Sequence, residues 1–319
     1  MMDDSVYDTC DAFNMGPHGG KTDVLVNRQG LELKTYYWPS ASSDPSANDP
    51  ILLFVHGHGA HLQFEVLAVD EPGQAPRYEN SWVQAMNNKG ITVCGIDLQG
   101  CGLSQGRDGL RFYVESFDDY VDDVIQYAET VASSHPTENM YIAGISLGGC
   151  IALHCVMKRK DLFNGMVLLA PMLSLERVSR KGLNPYLRPV GRFLSWCAPT
   201  LALLATDKNT VHPEIQKLWD ADPLVSHINT RVRNADEYLR VTAQVMTQLD
   251  RVDSPFLVFH SEVDTMCDPD GSKLLYTKSI SKDKTLRLVN SMWHVLVKEP
   301  GNDKVCQDII DWLLERSST

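Results

Sequence analysis

The chain has 319 residues, 43% of them hydrophobic, and its 29 Lys and Arg against 41 Asp and Glu give a formal net charge of -12. That apolar share supports a full core and excludes disordered and fibrous classes, and the acidic balance excludes a nucleic-acid partner, because phosphate contacts need a basic face. No apolar run reaches the ~20 residues of a membrane span, and the start Met1-Met2-Asp3-Asp4-Ser5 lacks a signal peptide's basic and apolar segments. The eight cysteines contain no C-x-x-C pair and several sit inside apolar runs, as reduced buried thiols do, so the expectation is a cytoplasmic protein without a disulfide framework.

Residues 1–20 carry no periodicity and read as a flexible lead-in. Residues 24–38 alternate apolar and polar around Gln29-Gly30, which predicts an antiparallel hairpin. After a polar loop, Ile51–Val55 is wholly apolar, the pattern of a strand buried on both faces of a parallel sheet. A strand-and-helix alternation follows: helix over 82–89, strand over 91–96, then a helix over 117–132 with Tyr120, Val121, Val124, Ile125 and Ala128 on one face. Next come a strand over 140–143, a small-residue helix from Leu147 to Cys155, and a strand over 166–170. Residues 173–251 hold helix-like runs without a convincing strand. The alternation then resumes with strands over 256–260 and 286–289 and helices over 272–279 and 305–314. The expected architecture is α/β: a doubly wound, mostly parallel sheet built from residues 21–172 and 252–319, with a helical insertion at 173–251.

The stretch Gly144-Ile145-Ser146-Leu147-Gly148 has the spacing G-x-S-x-G between a strand and a helix. Small flanking residues let a serine occupy a sharp, strained turn with its hydroxyl exposed above the sheet edge, although the five-residue pattern also occurs in ordinary turns. A serine hydroxyl is a weak nucleophile near neutral pH, so it needs a histidine base held by a carboxylate. Asp264 follows the strand over 256–260, and His294 follows the strand over 286–289. All three therefore fall at strand carboxyl ends, where open parallel sheets bind ligands. Asp268 and Asp270 are rival acids farther from the strand end. His56-Gly57-His58-Gly59, directly after Ile51–Val55, is a glycine-rich turn suited to aim backbone N–H groups at an oxyanion, and the expected donors are the N–H groups of His58 and Leu147. His56, His58 and His61 also spell H-x-H-x-x-H, a metal-binding pattern, but no acidic residue lies within the cluster and the glycines fit the oxyanion turn. No metal or cofactor is expected.

With these residues in place, the chain resembles the monoacylglycerol lipase and lysophospholipase-like group of α/β-hydrolases over residues 23–316. The likeness rests on His56-Gly57-x-Gly59, Asp97-Leu98-Gln99-Gly100-Cys101-Gly102-Leu103-Ser104, Val114-Glu115-Ser116-Phe117-Asp118-Asp119-Tyr120, the serine turn and Ala221-Asp222-Pro223-Leu224. It continues in Asp264-Thr265-Met266-Cys267-Asp268-Pro269 and in Met292-Trp293-His294. The resemblance implies the α/β-hydrolase fold, a carboxylic ester hydrolase using Ser146, Asp264 and His294, a lipid or other small ester as substrate, and residues 173–251 as a cap. Small aryl esters, acyl transfer and a non-catalytic ligand receptor are the alternatives on the same scaffold.

The family's usual His before the nucleophile, its Glu and Arg after the first turn and its cap Tyr are here Ile145, Ala60, Phe64 and Trp219. These substitutions imply a more apolar head-group pocket, with His61 and Cys267 as further pocket candidates. Two histidines are missing from the Asp97–Ser104 loop, which implies an altered local network. In the insertion, Leu187, Val190, Phe193, Leu194, Trp196, Leu201, Leu203 and Leu204 form an apolar stretch too short to span a bilayer. It is either packed on the core or an exposed entrance making peripheral membrane contact, with Arg188 and Arg192 suited to lipid phosphates.

Overall fold

The computed structural model describes residues 12–42, 49–136, 139–177 and 184–317. The lead-in up to residue 11 lies outside them. Residues 12–20, the rest of the expected lead-in, open on a helical turn, Ala12–Met15 (α1), with Met15 buried. The Asn14 carbonyl accepts from the Trp38 indole N–H at 3.0 Å.

An eight-stranded sheet has the order β1-β2-β4-β3-β5-β6-β9-β10. Strands β1 (Lys21–Val26) and β2 (Glu32–Trp38) form the expected antiparallel hairpin, and β2 joins the sheet antiparallel to β4. Strands β3 (Ile51–Val55), β4 (Thr92–Ile96), β5 (Met140–Ile145), β6 (Gly165–Leu169), β9 (Phe256–Ser261) and β10 (Lys284–Val289) run parallel. The apolar runs that predicted these strands are explained by two cores. Alternate residues of β3 and β5 (Leu53 and Ile142, then Phe54 and Ala143) point to opposite faces and join separate buried clusters. One face is covered by α4 (Phe117–Ser134) and α5 (Leu147–Lys158), the other by α3 (Trp82–Asn87) and the C-terminal helix described below. Helix α4 begins at Ser116, whose side chain and that of Asp119 form a capping box.

Two elements exceed the sequence reading. Leu62–Val66 forms a short helix (α2) directly after the His56–Gly59 turn. The insertion is not purely helical: besides α6 (Asn184–Cys197), α7 (Pro213–Ala221) and α8 (Val232–Met246), it contains a two-stranded antiparallel ribbon of β7 (Ala202–Leu204) and β8 (Thr230–Arg231). Helix α8 packs against α6 and α4, which fixes the insertion to the core. The Glu237 carboxylate accepts the Phe117 N–H at 2.9 Å, in the first turn of α4. The chain closes with α9 (Pro269–Lys278) and α10 (Asn302–Ser317).

Candidate active site

Ser146 sits between β5 and α5 with φ 54° and ψ -116°, a conformation that L residues rarely adopt. The backbone around it is crowded. A Cβ on Gly144 would lie 2.2 Å from the Gly148 carbonyl oxygen, and one on Gly148 would lie 2.1 Å from that of Val55. Glycine is therefore obligatory on both sides of the serine. The Ser146 N–H is held by Leu169 O at 2.9 Å, which ties the turn to β6.

Asp264 and His294 meet across the strand ends: His294 Nδ1–H donates to Asp264 Oδ2 at 2.7 Å. The other carboxylate oxygen accepts the N–H groups of Met266 at 2.7 Å and Cys267 at 2.9 Å. His260, on β9, adds a third restraint. Its Nε2 lies 3.3 Å from Asp264 Oδ2 and 3.2 Å from the Cys267 carbonyl oxygen, both acceptors, so Nε2 carries the hydrogen while Nδ1 accepts from the Ser272 hydroxyl at 2.7 Å. Burial alone would raise the Asp264 pKa, but the His294 charge and the hydrogen bonds from His260, His294 and the Cys267 amide outweigh it and hold the carboxyl below its usual range. Burial pulls His294 down, yet the Asp264 charge and hydrogen bond prevail and leave the imidazole above its ordinary value. The rival acids are engaged elsewhere. Asp268 caps α9 and pairs with Arg177 at 3.0 Å, and Asp270 pairs with the same arginine at 2.7 Å.

The Ser146 Oγ lies 3.7 Å from the Cys267 thiol. Cys267 is buried, and burial together with the Asp264 charge lifts its pKa well above the usual thiol value, so it is a neutral neighbour of the hydroxyl. A cavity of about 270 Å³ holds Ser146 and His294 together with Gly57 and His58 of the turn and Phe64, Ile145 and Trp219. Leu147 is the first residue of α5, where a helix leaves its N–H groups without intrahelical partners. The other turn residues are locked by side chains that point apart. His56 Nδ1 donates to Gly57 O and its Nε2 accepts from Leu98 N–H, both at 2.9 Å. His58 contacts the Tyr238 and Thr230 hydroxyls at 2.9 and 3.0 Å, and His61 contacts Asp222 at 3.2 Å. The three histidines thus face separate sets of partners, and the Tyr238, Thr230 and Asp222 partners of His58 and His61 come from the insertion.

A profile of the family described as serine aminopeptidase, S33 (Hydrolase_4), matches residues 46–301, well over half of the chain. The chain belongs to this family. It is a serine hydrolase with the α/β-hydrolase fold. Among curated relatives, a monoglyceride lipase from Rattus norvegicus is 28% identical over 298 residues, covering 92% of this chain and 90% of that protein. Among solved structures, a soluble variant of monoglyceride lipase from Saccharomyces cerevisiae in complex with a substrate analogue superposes with a TM-score of 0.75 at 17% identity, covering 96% of this chain and 99% of that one. A monoacylglycerol lipase from Paleococcus ferrophilus gives 0.72 at 21% identity, covering 89% and 99%.

In this hydrolase the four substituted positions separate. Phe64, Ile145 and Trp219 line the cavity, with the Phe64 and Trp219 rings edge to face at 5.6 Å. Ala60 and His61 are buried away from its wall: Ala60 is 1% exposed, and His61 is spent on Asp222. Cys267 also stands behind the wall, in contact with Ser146 but not lining the cavity. Nor is the cavity lining uniformly apolar, because Glu65, Asn209, Gln216 and Asp220 belong to it as well. The altered Asp97 loop is held by Asp97 itself, which accepts from the Leu62 N–H at 2.8 Å and from the Tyr36 hydroxyl and Leu103 N–H at 2.9 Å. Sequence reasoning did not single out Glu65, His260 or Glu299. Glu299 is wholly buried and accepts the N–H groups of Trp293, His294 and Val295, shaping the histidine loop, and it also accepts from Asn209 of the insertion at 2.9 Å.

Proposed function

We propose that this hydrolase cleaves lipid-like acyl esters, monoacylglycerols or lysophospholipids, through an acyl-enzyme on Ser146. The observation that carries the reading is the Asp264–His294 pair at 2.7 Å, whose imidazole shares a cavity with a serine held at φ 54°. The Ser146 hydroxyl turns from Cys267 toward His294 Nε2 and attacks the ester carbonyl carbon as Nε2 takes its proton. The N–H groups of His58 and Leu147 stabilise the oxyanion. Collapse of the tetrahedral intermediate breaks the bond to the leaving alcohol, which receives the proton from His294. Water, deprotonated by the same imidazole, then attacks the acyl-enzyme and releases the fatty acid. Asp264 holds the imidazole in the required tautomer and stabilises its charged form.

Residues 173–251 act as the cap in this account, supplying Trp219, Asn209, Gln216 and Asp220 to the cavity wall. The exposed apolar side chains of α6 and β7 rest on a lipid surface and deliver acyl chains to the cavity. The names of the rat and yeast relatives and the lining by Phe64, Ile145 and Trp219 support a lipid ester over a small polar one. A panel of monoacylglycerols, lysophospholipids and aryl esters, with fatty acid and alcohol both quantified, tests this. Release of free fatty acid from the lipid esters is expected. Turnover confined to aryl esters, or acyl transfer to added alcohol without net hydrolysis, would replace this reading with one of its alternatives.

A further inference from the structure

The His56–Gly59 turn is anchored from two sides. Gly57 is pinned by the core, its N–H donating to Glu65 Oε1 and its carbonyl oxygen accepting from His56 Nδ1, both at 2.9 Å. Gly59, at φ 74°, is pinned by the insertion, its carbonyl oxygen accepting the Ser226 N–H at 2.7 Å. Between them the His58 N–H has no hydrogen-bond partner among the described residues. With glycine on both sides the backbone is permissive there, so the remaining restraint on the direction of that N–H is the His58 side chain.

The insertion grips that ring at both nitrogens. Tyr238, on α8, meets Nδ1 at 2.9 Å, and Thr230, on β8, meets Nε2 at 3.0 Å. The Tyr238 ring also stands edge-on to the imidazole, with centroids 5.4 Å apart. Asn234, wholly buried, accepts the Val114 N–H with Oδ1 at 3.4 Å and donates from Nδ2 to the Tyr238 oxygen at 3.2 Å. The phenolic proton is then directed to His58 Nδ1, which leaves Nε2–H to donate to Thr230. Burial lowers the His58 pKa to about 4, so the imidazole is neutral near pH 7 and keeps this single-proton arrangement. Tyr238 itself stands outside the cavity wall, whereas His58 is part of it, so any effect of the phenol on the reaction passes through His58.

We propose that Tyr238 is a positioning residue: its hydroxyl holds the His58 ring so that the His58 N–H is aimed at the oxyanion, and the oxyanion site is complete only when the insertion is seated on the core. This rests on ester hydrolysis at Ser146 with the His58 N–H as one of its oxyanion donors. A donor held in place before the reaction stabilises charge as it develops, whereas one that must first be aligned loses part of that stabilisation in the transition state and not in substrate binding.

The test compares wild type, Tyr238→Phe, His58→Ala, the two combined, and Glu237→Gln on one lipid ester. It reads kcat and KM separately, with the Ki of an alkyl trifluoromethyl ketone, whose hemiketal on serine carries an oxyanion. Tyr238→Phe keeps the ring and removes the hydroxyl. It should lower kcat roughly tenfold with KM unchanged and weaken the ketone by a similar factor, less than the ~10²- to 10³-fold that follows loss of a donor outright. In the His58→Ala background the same change should add nothing, because the route through the ring is gone. Glu237→Gln loosens the neighbouring bond from α8 to Phe117 without touching His58, and should leave kcat and Ki within about twofold. Additive losses in the double variant, an effect on KM alone, an equal loss in Glu237→Gln, or full activity of Tyr238→Phe overturns the proposal while leaving hydrolysis at Ser146 intact. Hydrolysis of no ester by wild type overturns the parent reading instead. If Tyr238→Phe fails to fold, Thr230→Val, which frees the other ring nitrogen, gives the same comparison.

Discussion

A non-glycine residue at φ 54° stores strain on the order of 1–3 kcal/mol, and Ser146 keeps that conformation because Gly144, Gly148 and the bond to Leu169 leave its backbone no alternative. The proposed base, His294, is prepared by charge in the same way. Since Asp264 raises the His294 pKa in the free enzyme, the acid limb of kcat/KM against pH should lie above the ~6.5 of an unperturbed imidazole, with activity lost as pH falls and Nε2 becomes protonated. A limb at or below that value would mean that Asp264 does not stabilise the imidazolium. The placement of Ser146, Asp264 and His294 at the carboxyl ends of strands was legible because each follows an apolar run that reads as a strand. Glu65, His260 and Glu299 were not, because their significance lies in partners that folding supplies: a turn amide, a strand-end carboxylate, and a loop together with Asn209 of the insertion.

At the level of elements, the parallel strands were legible because burial on both faces leaves unbroken apolar runs. The β7–β8 ribbon was not, since strands of three and two residues carry too little alternation to distinguish from loop. Helix α6 bears on the two alternatives that the apolar stretch left open. Val190, Phe193 and Trp196 are exposed, Trp196 by 76%, and Leu201, Leu203 and Leu204 beyond it are exposed as well, whereas Leu194 is partly buried and the Leu187 and Arg188 side chains lie outside the described residues. Packing on the core therefore does not account for this stretch. Among the described residues no helix is long and apolar enough to cross a membrane. A Phe or Trp ring buries ~150–250 Å², and at ~25 cal/mol per Å² even partial insertion of two rings makes a large contribution. Flotation with phosphatidylcholine vesicles should recover the wild-type protein. Phe193→Glu with Trp196→Glu should lower its partitioning by on the order of 100-fold while soluble-ester turnover continues. Unchanged flotation of the double variant would remove α6 from the contact.

Across the whole molecule, the sheet gathers the carboxyl ends of β3, β5, β9 and β10 at one edge, and the insertion closes over that edge through the His58, His61 and Asn209 contacts. The doubly wound order could be read from the alternation of apolar runs and helical faces, whereas these clasps could not, because they join residues that are distant in the chain. The central claim is that Ser146 is the nucleophile, and a fluorophosphonate probe followed by mass spectrometry tests it most directly. Wild type should carry one adduct, on the peptide containing Ser146, and Ser146→Ala should carry none and lose roughly 10³-fold or more of its esterase activity. Equal labelling and equal turnover in the two proteins would contradict the account.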